Sequence, residues 1–226
     1  MTSDFEDQVL TAWESNAKSW IDAVTNKGIR APGSVTREAL LAAMEPHLTV
    51  HCRLLDVGCG EGWLVEEMVN RGHDAVGVDT SVALIEHAKN CRKGRFYEAN
   101  QDSVAALQLG EFDLVVCNFS LFGDKPVSGF IASLPCLLKP KGVCVIQTLH
   151  PAHFLTESYY STGWREGTWA GLPIAFGASP PLFTRTVESW WTLFRSCGVK
   201  IIDLIEPPGS DGKPESIIFT VRSLRN

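Results

Sequence analysis

Short apolar runs alternate along this chain with segments in which apolar residues recur at helical spacing. Five runs rich in Val, Ile and Leu lie at 52–58, 74–81, 94–100, 112–120 and 142–150. The intervening segments, such as WLVEEMVNRG and VALIEHAKNC, have an apolar residue at every third or fourth position, which is the period of a helix with one buried face. Apolar strands separated by helices are typical of a parallel sheet covered on both faces. The pattern therefore predicts a doubly wound α/β core.

This alternation stops after His150. Positions 151–184 are rich in Gly, Pro and aromatic residues, and an irregular stretch of this length inside a compact domain is often a lid or a binding loop. A helical pattern follows in TRTVESWWTLFRSCG, and two final apolar runs at 199–207 and 215–223 flank the turn-like PGSDGKP. These two runs predict an antiparallel hairpin, because only a short connection separates them.

Composition and charge narrow the classes of function. Apolar residues make up 45% and charged residues 20% of the chain, as in ordinary globular proteins. The N-terminus MTSDFEDQVL has acidic residues where a secretory signal would be basic, so we expect a cytoplasmic protein. The seven cysteines are scattered without a CxxC pair and are expected to be reduced. A net charge of −6, with no cluster of Lys and Arg, disfavours unaided binding of nucleic acid or of an anionic membrane.

The segment DVGCGEG at 56–62 contains the first candidate chemistry. It follows the first predicted strand and brings Gly58, Gly60 and Gly62 into the turn that leads to the next helix. Ligands of open α/β sheets bind beside such a turn. Asp79 ends the second predicted strand, 21 residues after Gly58 (79 − 58), where a carboxylate can accept hydrogen bonds from both hydroxyls of a ribose. The spacing predicts a nucleoside-type ligand.

The spacing of the glycines bears on the charge of that ligand. Dinucleotide folds use GxGxxG to bring a helix N-terminus onto a pyrophosphate, whereas this turn reads GxGxG and is preceded by Asp56. An acidic residue beside the turn repels pyrophosphate and attracts an ammonium or a sulfonium group. We therefore expect a cationic ligand.

At this point the sequence resembles the class I S-adenosylmethionine-dependent methyltransferases that act on small molecules. Four segments in the expected order are similar to that family from about residue 50 onward: DVGCGEG at 56–62, VGVDTS at 76–81, FDLVVCNFSL at 112–121 and LLKPKGVCVIQT at 137–148. The resemblance implies a Rossmann-like, seven-stranded, mostly parallel sheet with an antiparallel C-terminal hairpin. It also implies transfer of a methyl group from S-adenosylmethionine to an oxygen, nitrogen or carbon of a small molecule, with S-adenosylhomocysteine as the product.

The chain has no repeat and no low-complexity linker, so we expect one methyltransferase domain over 1–226 with four parts. Positions 1–50 are expected to form a helical cap, 51–150 a cofactor-binding core, 151–184 a lid insertion, and 185–226 the last helix and the hairpin. The fourth strand lacks the NPPY-type signature associated with methylation of amino groups on bases and glutamine, which weakens a nucleobase or protein-amide substrate.

The resemblance also assigns cofactor residues. The glycine turn would pass the methionine part of the cofactor, Asp79 would hold the ribose, and ANQD at 99–102 would border the adenine. Arg30, in a cap segment that resembles those of small-molecule and quinone methyltransferases, could contact the cofactor carboxylate or could be a solvated loop residue. The implied cofactor residues are Arg30, Asp56, Gly58, Cys59, Gly60, Gly62, Asp79, Thr80, Asn100, Gln101, Asp102, Asn118 and Phe119.

Two histidines follow the fifth predicted strand in TLHPAHF. His150 could act as a general base or position the substrate, because the pKa of histidine lies near neutrality. It could equally cap or brace the lid. His153 is three residues further on, but Pro151 interrupts helical register and no third ligand is evident, so we expect no metal site.

The remaining candidates lie in the lid or just after it. Tyr159, Tyr160, Trp164 and Trp169 could form the wall of a pocket for a planar substrate or could anchor the lid to the core. Arg185 could hold an acidic substrate group at the pocket mouth and pair with Glu206. Alternatively, Arg185 is solvated beside Thr186 as a helix N-cap.

Two rival functions remain open at this stage. One is a regulator or partner subunit that binds S-adenosylmethionine without turnover, which the glycine turn does not exclude. The other is an NAD-dependent oxidoreductase, which GxGxG and Asp56 disfavour. The oligomeric state cannot be read from the sequence.

Overall fold

The computed structural model describes residues 2–26, 33–154, 160–169, 175–209 and 212–225. Within these ranges the chain forms six α-helices and three 3-10 helices. The 3-10 helices span Glu45–His47, Gln101–Leu107 and Pro151–Phe154. The α-helices are α1 (Thr2–Asn26), α2 (Val35–Met44), α3 (Trp63–Asn70), α4 (Val82–Cys91), α5 (Lys125–Leu137) and α6 (Val187–Ser196).

Seven of the strands form one sheet, in the order β3-β2-β1-β4-β5-β9-β8. The first five strands of this order are parallel, and β9 runs antiparallel to both β5 and β8. The prediction of a doubly wound, mostly parallel seven-stranded sheet with an antiparallel C-terminal pair is confirmed. The strands are β1 (Arg53–Val57), β2 (Asp74–Asp79), β3 (Arg95–Glu98), β4 (Phe112–Asn118), β5 (Leu138–Leu149), β8 (Val199–Ile205) and β9 (Ser216–Ser223).

A second, two-stranded sheet lies in the segment predicted as an irregular lid. It pairs β6 (Gly163–Arg165) with β7 (Leu182–Thr184) in antiparallel orientation. The pattern of the sequence did not indicate these strands, since each has only three residues and periodicity needs a longer run to be recognised.

Both faces of the main sheet are covered, which explains the near-continuous apolar strands. Leu54 and Leu55 are neighbours on β1, yet they belong to different buried clusters because successive side chains of a strand point to opposite faces. Leu54 packs in the cluster that contains Met68 of α3, and Leu55 packs in the cluster that contains Phe130 of α5. Among the described residues no helix is long and apolar enough to cross a membrane.

Arg185, directly before α6, is buried and connects that end of the chain to the loop after β4. Its Nη1 donates to the carbonyl of Gly123 at 3.0 Å, and its Nη2 donates to the Asp124 carboxylate at 2.9 Å. The guanidinium also lies over the rings of Phe183 and Trp190, at 4.6 and 5.2 Å from their centroids. Burial lowers the pKa of Arg185 and the carboxylate of Asp124 opposes that shift.

We expect Arg185→Met to destabilise the protein by about 3 kcal/mol, because the substitution leaves buried carbonyl groups and a carboxylate without their donor. The free energy of unfolding in urea measures this effect. Arg195→Met on the exposed side of α6 is the matched control, since it removes only a contact with the Trp191 ring, and we expect it to cost less than about 1 kcal/mol. Equal losses in the two variants would contradict the structural role of Arg185.

Candidate functional site

A cleft lies where β1, β2 and β4 end, between the sheet and α1. It contains about 970 Å³ of empty space, part of it continuous with solvent. The turns that follow the strands line one side, and residues of α1 line the other. The cleft therefore lies at the carboxyl ends of parallel strands, where open α/β sheets bind ligands.

Gly58, the first glycine of the turn, allows the loop after β4 to approach closely. A Cβ atom at this position would lie 2.2 Å from the Cβ of Ser120. The Ser120 hydroxyl donates to the carbonyl of Val57 at 2.6 Å and holds the two segments together. Since no larger residue fits this contact, Gly58 keeps two segments of the cleft wall adjacent.

Gly60 contacts Asp79, the last residue of β2, through its backbone N–H. It adopts a φ of +57°, and its N–H donates to Oδ2 of Asp79 at 2.8 Å. The N–H of Ser81 donates to the other oxygen, Oδ1, at 2.9 Å. Burial raises the pKa of Asp79, and these two hydrogen bonds lower it in part, while the nearby charge of Glu61 raises it further. The carboxylate is thus fixed in the cleft wall, and each oxygen retains a lone pair for a ligand.

Polar side chains after β2 and β3 continue the same wall. The Thr80 hydroxyl donates to Oδ1 of Asn100 at 2.7 Å, and Nε2 of Gln101 donates to the carbonyl of Ser120 at 2.6 Å. Asp102 lies beside them in the lining. These bonds fix the positions of Asn100 and Gln101 before any ligand binds.

Phe119 lies in the lining directly after β4. Its φ of +50° is unusual for a residue with a Cβ, and its N–H donates to the carbonyl of Gln147 on β5 at 2.8 Å. The strained backbone begins the turn into the loop that contributes Ser120 and Phe122 to the cleft. In total, eight of the thirteen residues predicted for the cofactor lie in the described lining: Gly58, Gly60, Asp79, Thr80, Asn100, Gln101, Asp102 and Phe119.

Four predicted residues lie behind this surface. Asp56 and Asn118 are 2% and 5% exposed, in β1 and β4, and are not in the described lining. Gly62 has a φ of +86° at the start of α3, where a Cβ would lie 2.7 Å from the ring of Phe96. Cys59 packs against Gly77, and burial raises the pKa of its thiol well above the usual value. Their roles toward a ligand stay predictions, and Arg30 lies outside the described residues.

The α1 side of the cleft is aromatic and was not predicted. Trp13 and Trp20 both line the cleft, and the Trp13 ring lies parallel to Phe122, with centroids 6.0 Å apart and an interplanar angle of 11°. The two tryptophans meet edge to face at 5.4 Å. They are seven residues apart in the sequence, which is two helical turns, so a shared face could have been recognised from spacing alone.

Polar contacts hold α1 in this position. The Glu6 carboxylate accepts hydrogen bonds from the N–H groups of Asp124 and Lys125, at 3.0 and 3.1 Å. The Ser81 hydroxyl donates to Glu14 at 2.6 Å, and the Trp20 indole donates to Glu61 at 3.1 Å. The helix is therefore connected to α5, α4 and the glycine turn, and it covers a large part of the cleft.

The electrostatic character of the cleft is one-sided. Its described lining contains three acidic residues, Glu6, Asp79 and Asp102, and neither Lys, Arg nor His. An isolated anion in such a lining would lie near like charges without a counter-charge. The arrangement favours a neutral or cationic ligand, in line with the charge expected from Asp56 and the glycine spacing.

The histidine proposed as a catalytic base is not in the described lining. His150 is 7% exposed, and its Nδ1 accepts a hydrogen bond from the N–H of Ala152 at 3.0 Å. Since Nδ1 is an acceptor, Nε2 carries the proton that is shared with Glu206 at 2.7 Å. This placement favours the alternative in which His150 braces the loop after β5. His153 is exposed and contacts the carbonyl of Glu215 at 3.1 Å.

The other predicted substrate residues are also engaged elsewhere. Arg185 does not reach the cleft mouth, because its guanidinium is buried against Asp124, and Glu206 pairs with His150 instead of Arg185. Trp164 stacks on Phe5 of α1 at 5.1 Å, as expected for an anchor. Tyr160 is 48% exposed and its hydroxyl accepts the N–H of Val187. Tyr159 lies outside the described residues.

These features define a class of protein, the doubly wound α/β domains with a ligand cleft beside a glycine turn. A model of the methyltransferase domain matches residues 13–197. Because this match covers most of the chain, the protein belongs to that methyltransferase family. The resemblance inferred from the four sequence segments is confirmed.

Curated relatives of this chain are also named as methyltransferases. The ubiquinone biosynthesis O-methyltransferase of Xanthomonas axonopodis pv. citri is 32% identical over 161 residues, which cover 68% of this chain and 66% of that protein. The protein of the same name from Psychrobacter cryohalolentis is 30% identical over 140 residues, covering 58% and 51%. The chain thus spans about two thirds or less of the length of these two relatives.

Solved structures share the fold. The CcbJ methyltransferase of Streptomyces caelestis matches with a TM-score of 0.70 at 16% identity, covering 94% of this chain and 98% of that chain. The 1,6-didemethyltoxoflavin-N1-methyltransferase of Burkholderia thailandensis, solved with 1,6-didemethyltoxoflavin and S-adenosylhomocysteine, matches with a TM-score of 0.69 at 18% identity, covering 99% and 90%. At these identities the likeness establishes the fold.

We expect Gly58→Ala to destabilise the protein more than Gly60→Ala. Both substitutions put alanine at a positive φ, at a cost of about 1–2 kcal/mol, but a Cβ at Gly60 has no neighbour closer than 3.6 Å. The clash with Ser120 is specific to Gly58, so adding Ser120→Gly should recover part of the loss. Urea unfolding of the single and double variants measures the loss of stability that each substitution causes. Equal losses for Gly58→Ala and Gly60→Ala would contradict the close contact between Gly58 and Ser120.

Proposed function

We propose that this protein transfers a methyl group from S-adenosylmethionine to a small-molecule acceptor in the cytoplasm. The observation that supports this most directly is the Asp79 carboxylate, held at the tip of β2 by the N–H groups of Gly60 and Ser81 and still lining the cleft. Its retained lone pairs suit the two hydroxyls of a ribose. The family assignment gives the reaction class.

The residues of the cleft fit the parts of this cofactor. Asp79 suits the ribose, Asn100, Gln101 and Asp102 offer polar groups for the adenine, and the backbone at Gly58 and Gly60 leaves room beside the turn. Bound in this cleft, S-adenosylmethionine would supply a methyl group on a positively charged sulfur, and its transfer leaves the neutral thioether S-adenosylhomocysteine. The acidic lining suits that charge.

The same lining argues against a nicotinamide dinucleotide. A pyrophosphate needs N–H donors and, commonly, a cation, whereas Glu6, Asp79 and Asp102 are the charged side chains in the described lining. The glycines at 58, 60 and 62 also differ from the dinucleotide spacing.

The protein's contribution to the reaction is alignment and exclusion of water. Methyl transfer requires the acceptor, the methyl carbon and the sulfur to lie in line, and a covered cleft maintains this geometry. The α1 side chains Trp13 and Trp20 supply the cover in this structure. Within the described lining, which contains no histidine, a carboxylate is the group that can accept a proton from the acceptor.

The atom that receives the methyl group stays open among oxygen, nitrogen and carbon. The curated relatives named above are O-methyltransferases, and the Burkholderia enzyme is an N-methyltransferase by its name. Both kinds of name are compatible with a small organic acceptor in the aromatic half of the cleft.

Asp79→Ala should weaken the binding of S-adenosylhomocysteine by about tenfold to a hundredfold, as expected for the loss of hydrogen bonds to a charged group. Asp74→Ala is the matched control, since Asp74 begins the same strand and pairs with Arg53 and Arg95 on the surface. Isothermal titration calorimetry at neutral pH measures both affinities. Unchanged affinity in Asp79→Ala would contradict the proposal that Asp79 binds the ribose of the cofactor.

The pKa of Asp79 predicts opposite pH trends for ligand binding and for the stability of the free protein. An ordinary Asp has a pKa of about 3.9, and the folded-state pKa of Asp79 is raised. As the pH decreases, Asp79 should therefore be protonated at a higher pH than an ordinary Asp. The affinity for S-adenosylhomocysteine should fall over that same higher pH range. The contribution of Asp79 to stability has the other sign, since it is present at low pH and is lost as the pH rises through the folded-state pKa. The difference between wild type and Asp79→Ala isolates both trends, and parallel trends would contradict the assignment.

Turnover can be tested with methyl-labelled S-adenosylmethionine and a cell extract separated into small-molecule, protein and nucleic-acid fractions. We expect label in the small-molecule fraction, because the described lining of the cleft is acidic and residues of α1 line one side of it. Label in protein or nucleic acid would overturn the acceptor class. Binding of S-adenosylhomocysteine without label in any of several extracts would instead favour a regulator that has lost turnover.

A further inference from the structure

The aromatic half of the cleft points to the chemical class of the acceptor. On the basis of the proposed function, we propose that the acceptor is a flat aromatic compound that is neutral or cationic, that it stacks on the exposed part of the Trp13–Phe122 surface, and that the Glu6 carboxylate excludes anionic analogues. This aromatic part of the cleft is formed by α1 and by the loop after β4.

Trp13 is the centre of a rigid aromatic surface. Three rings surround it: Phe122 lies parallel at 6.0 Å, and Trp20 and Trp169 meet it edge to face at 5.4 and 5.5 Å. Trp13, Trp20 and Phe122 line the cleft. A side chain held on three sides cannot rotate freely, so it offers a fixed face to a planar ligand at little entropic cost.

Glu6 provides a charge of fixed position at this surface. It lines the cleft four residues before Leu10, which is also in the lining. Its Oε1 accepts hydrogen bonds from two N–H groups at the start of α5, and a Cβ at Gly123 would lie 2.6 Å from Oε2. The carboxylate is therefore held by the protein itself before a ligand enters. An anionic ligand group in the same cleft would be repelled, whereas a cation or an N–H or O–H donor would be attracted.

Three described arginines form ion pairs with carboxylates of the protein itself. Arg185 is buried against Asp124, Arg92 pairs with Glu66, and Arg37 pairs with Glu67. None of the three is in the described lining. The described lining therefore offers no Lys or Arg side chain to a carboxylate or phosphate on the acceptor.

A matched set of probes tests the charge preference. The three probes 2-naphthoate, 2-naphthol and 2-naphthylmethylammonium have the same ring system and differ in charge at neutral pH. We would titrate each by calorimetry into protein saturated with S-adenosylhomocysteine. The neutral and cationic probes should bind at least about tenfold more tightly than the anion, because like charges oppose the anion in this lining. Equal affinities, or tightest binding of 2-naphthoate, would overturn the inference.

Two variants separate charge from shape. Glu6→Gln keeps an acceptor for the α5 amides and removes the charge, so it should narrow the gap between 2-naphthoate and 2-naphthylmethylammonium several-fold. Trp13→Leu should weaken all three probes by a similar factor and leave their order unchanged. If Glu6 only capped α5, Glu6→Gln would alter the melting temperature and would leave the affinity gap between 2-naphthoate and 2-naphthylmethylammonium unchanged. Phe122→Leu replaces Trp13→Leu if the latter does not fold.

A wrong acceptor class can be distinguished from a wrong proposed function. Stabilisation of the wild-type protein by S-adenosylhomocysteine tests the cofactor half of the cleft alone. If that stabilisation is present and the probes bind without regard to charge, the acceptor class is wrong and the proposed function stands. If S-adenosylhomocysteine does not bind, the proposed function itself is wrong.

Discussion

The carboxylate of Asp79 accepts one hydrogen bond from Gly60 and another from Ser81, and through them it joins the glycine turn, the tip of β2 and the start of α4. Ser81 in turn caps α4 by accepting the N–H of Leu84 and donates its hydroxyl to Glu14 of α1. One partly buried acid thus fixes the local geometry of two strands and two helices. Because burial raises its pKa, the protein maintains this charge at an energetic cost, and the family assignment gives a reason for doing so.

The cleft is built from two sources that differ in chemistry. The sheet contributes backbone, amides and carboxylates, which are fixed by hydrogen bonds between neighbouring turns. Helix α1 contributes indole rings and is held by contacts distant in sequence, including the pair of bonds that join Asn16 to Gly177 and Ala178. The first source is common to open α/β sheets, and the second determines what else fits in the cleft.

Much of the core could be predicted because each strand is buried on both faces and therefore reads as an apolar run, as Leu54 and Leu55 illustrate. Asp79 and the glycines could be predicted from their spacing within one βαβ unit, formed by β1, α3 and β2. The position of α1 could not be predicted in this way, because Trp13 and Phe122 come together across more than a hundred residues. The contacts of Arg185 and His150 could not be predicted for a related reason, because the sequence does not show which distant side chains they meet. Their partners Asp124 and Glu206 lie on other segments.

The order of strands has a consequence for synthesis of the chain. β8 leaves the ribosome before β9, yet within the described residues β8 joins the sheet through β9, which lies between it and β5. Until β9 has emerged, the edge of β5 is open and β8 has no neighbour with which to pair. A nascent chain therefore exposes two unpaired β edges at once, the configuration most prone to association with other chains. Completion of the sheet at this edge therefore depends on β9, the last strand that the structure describes.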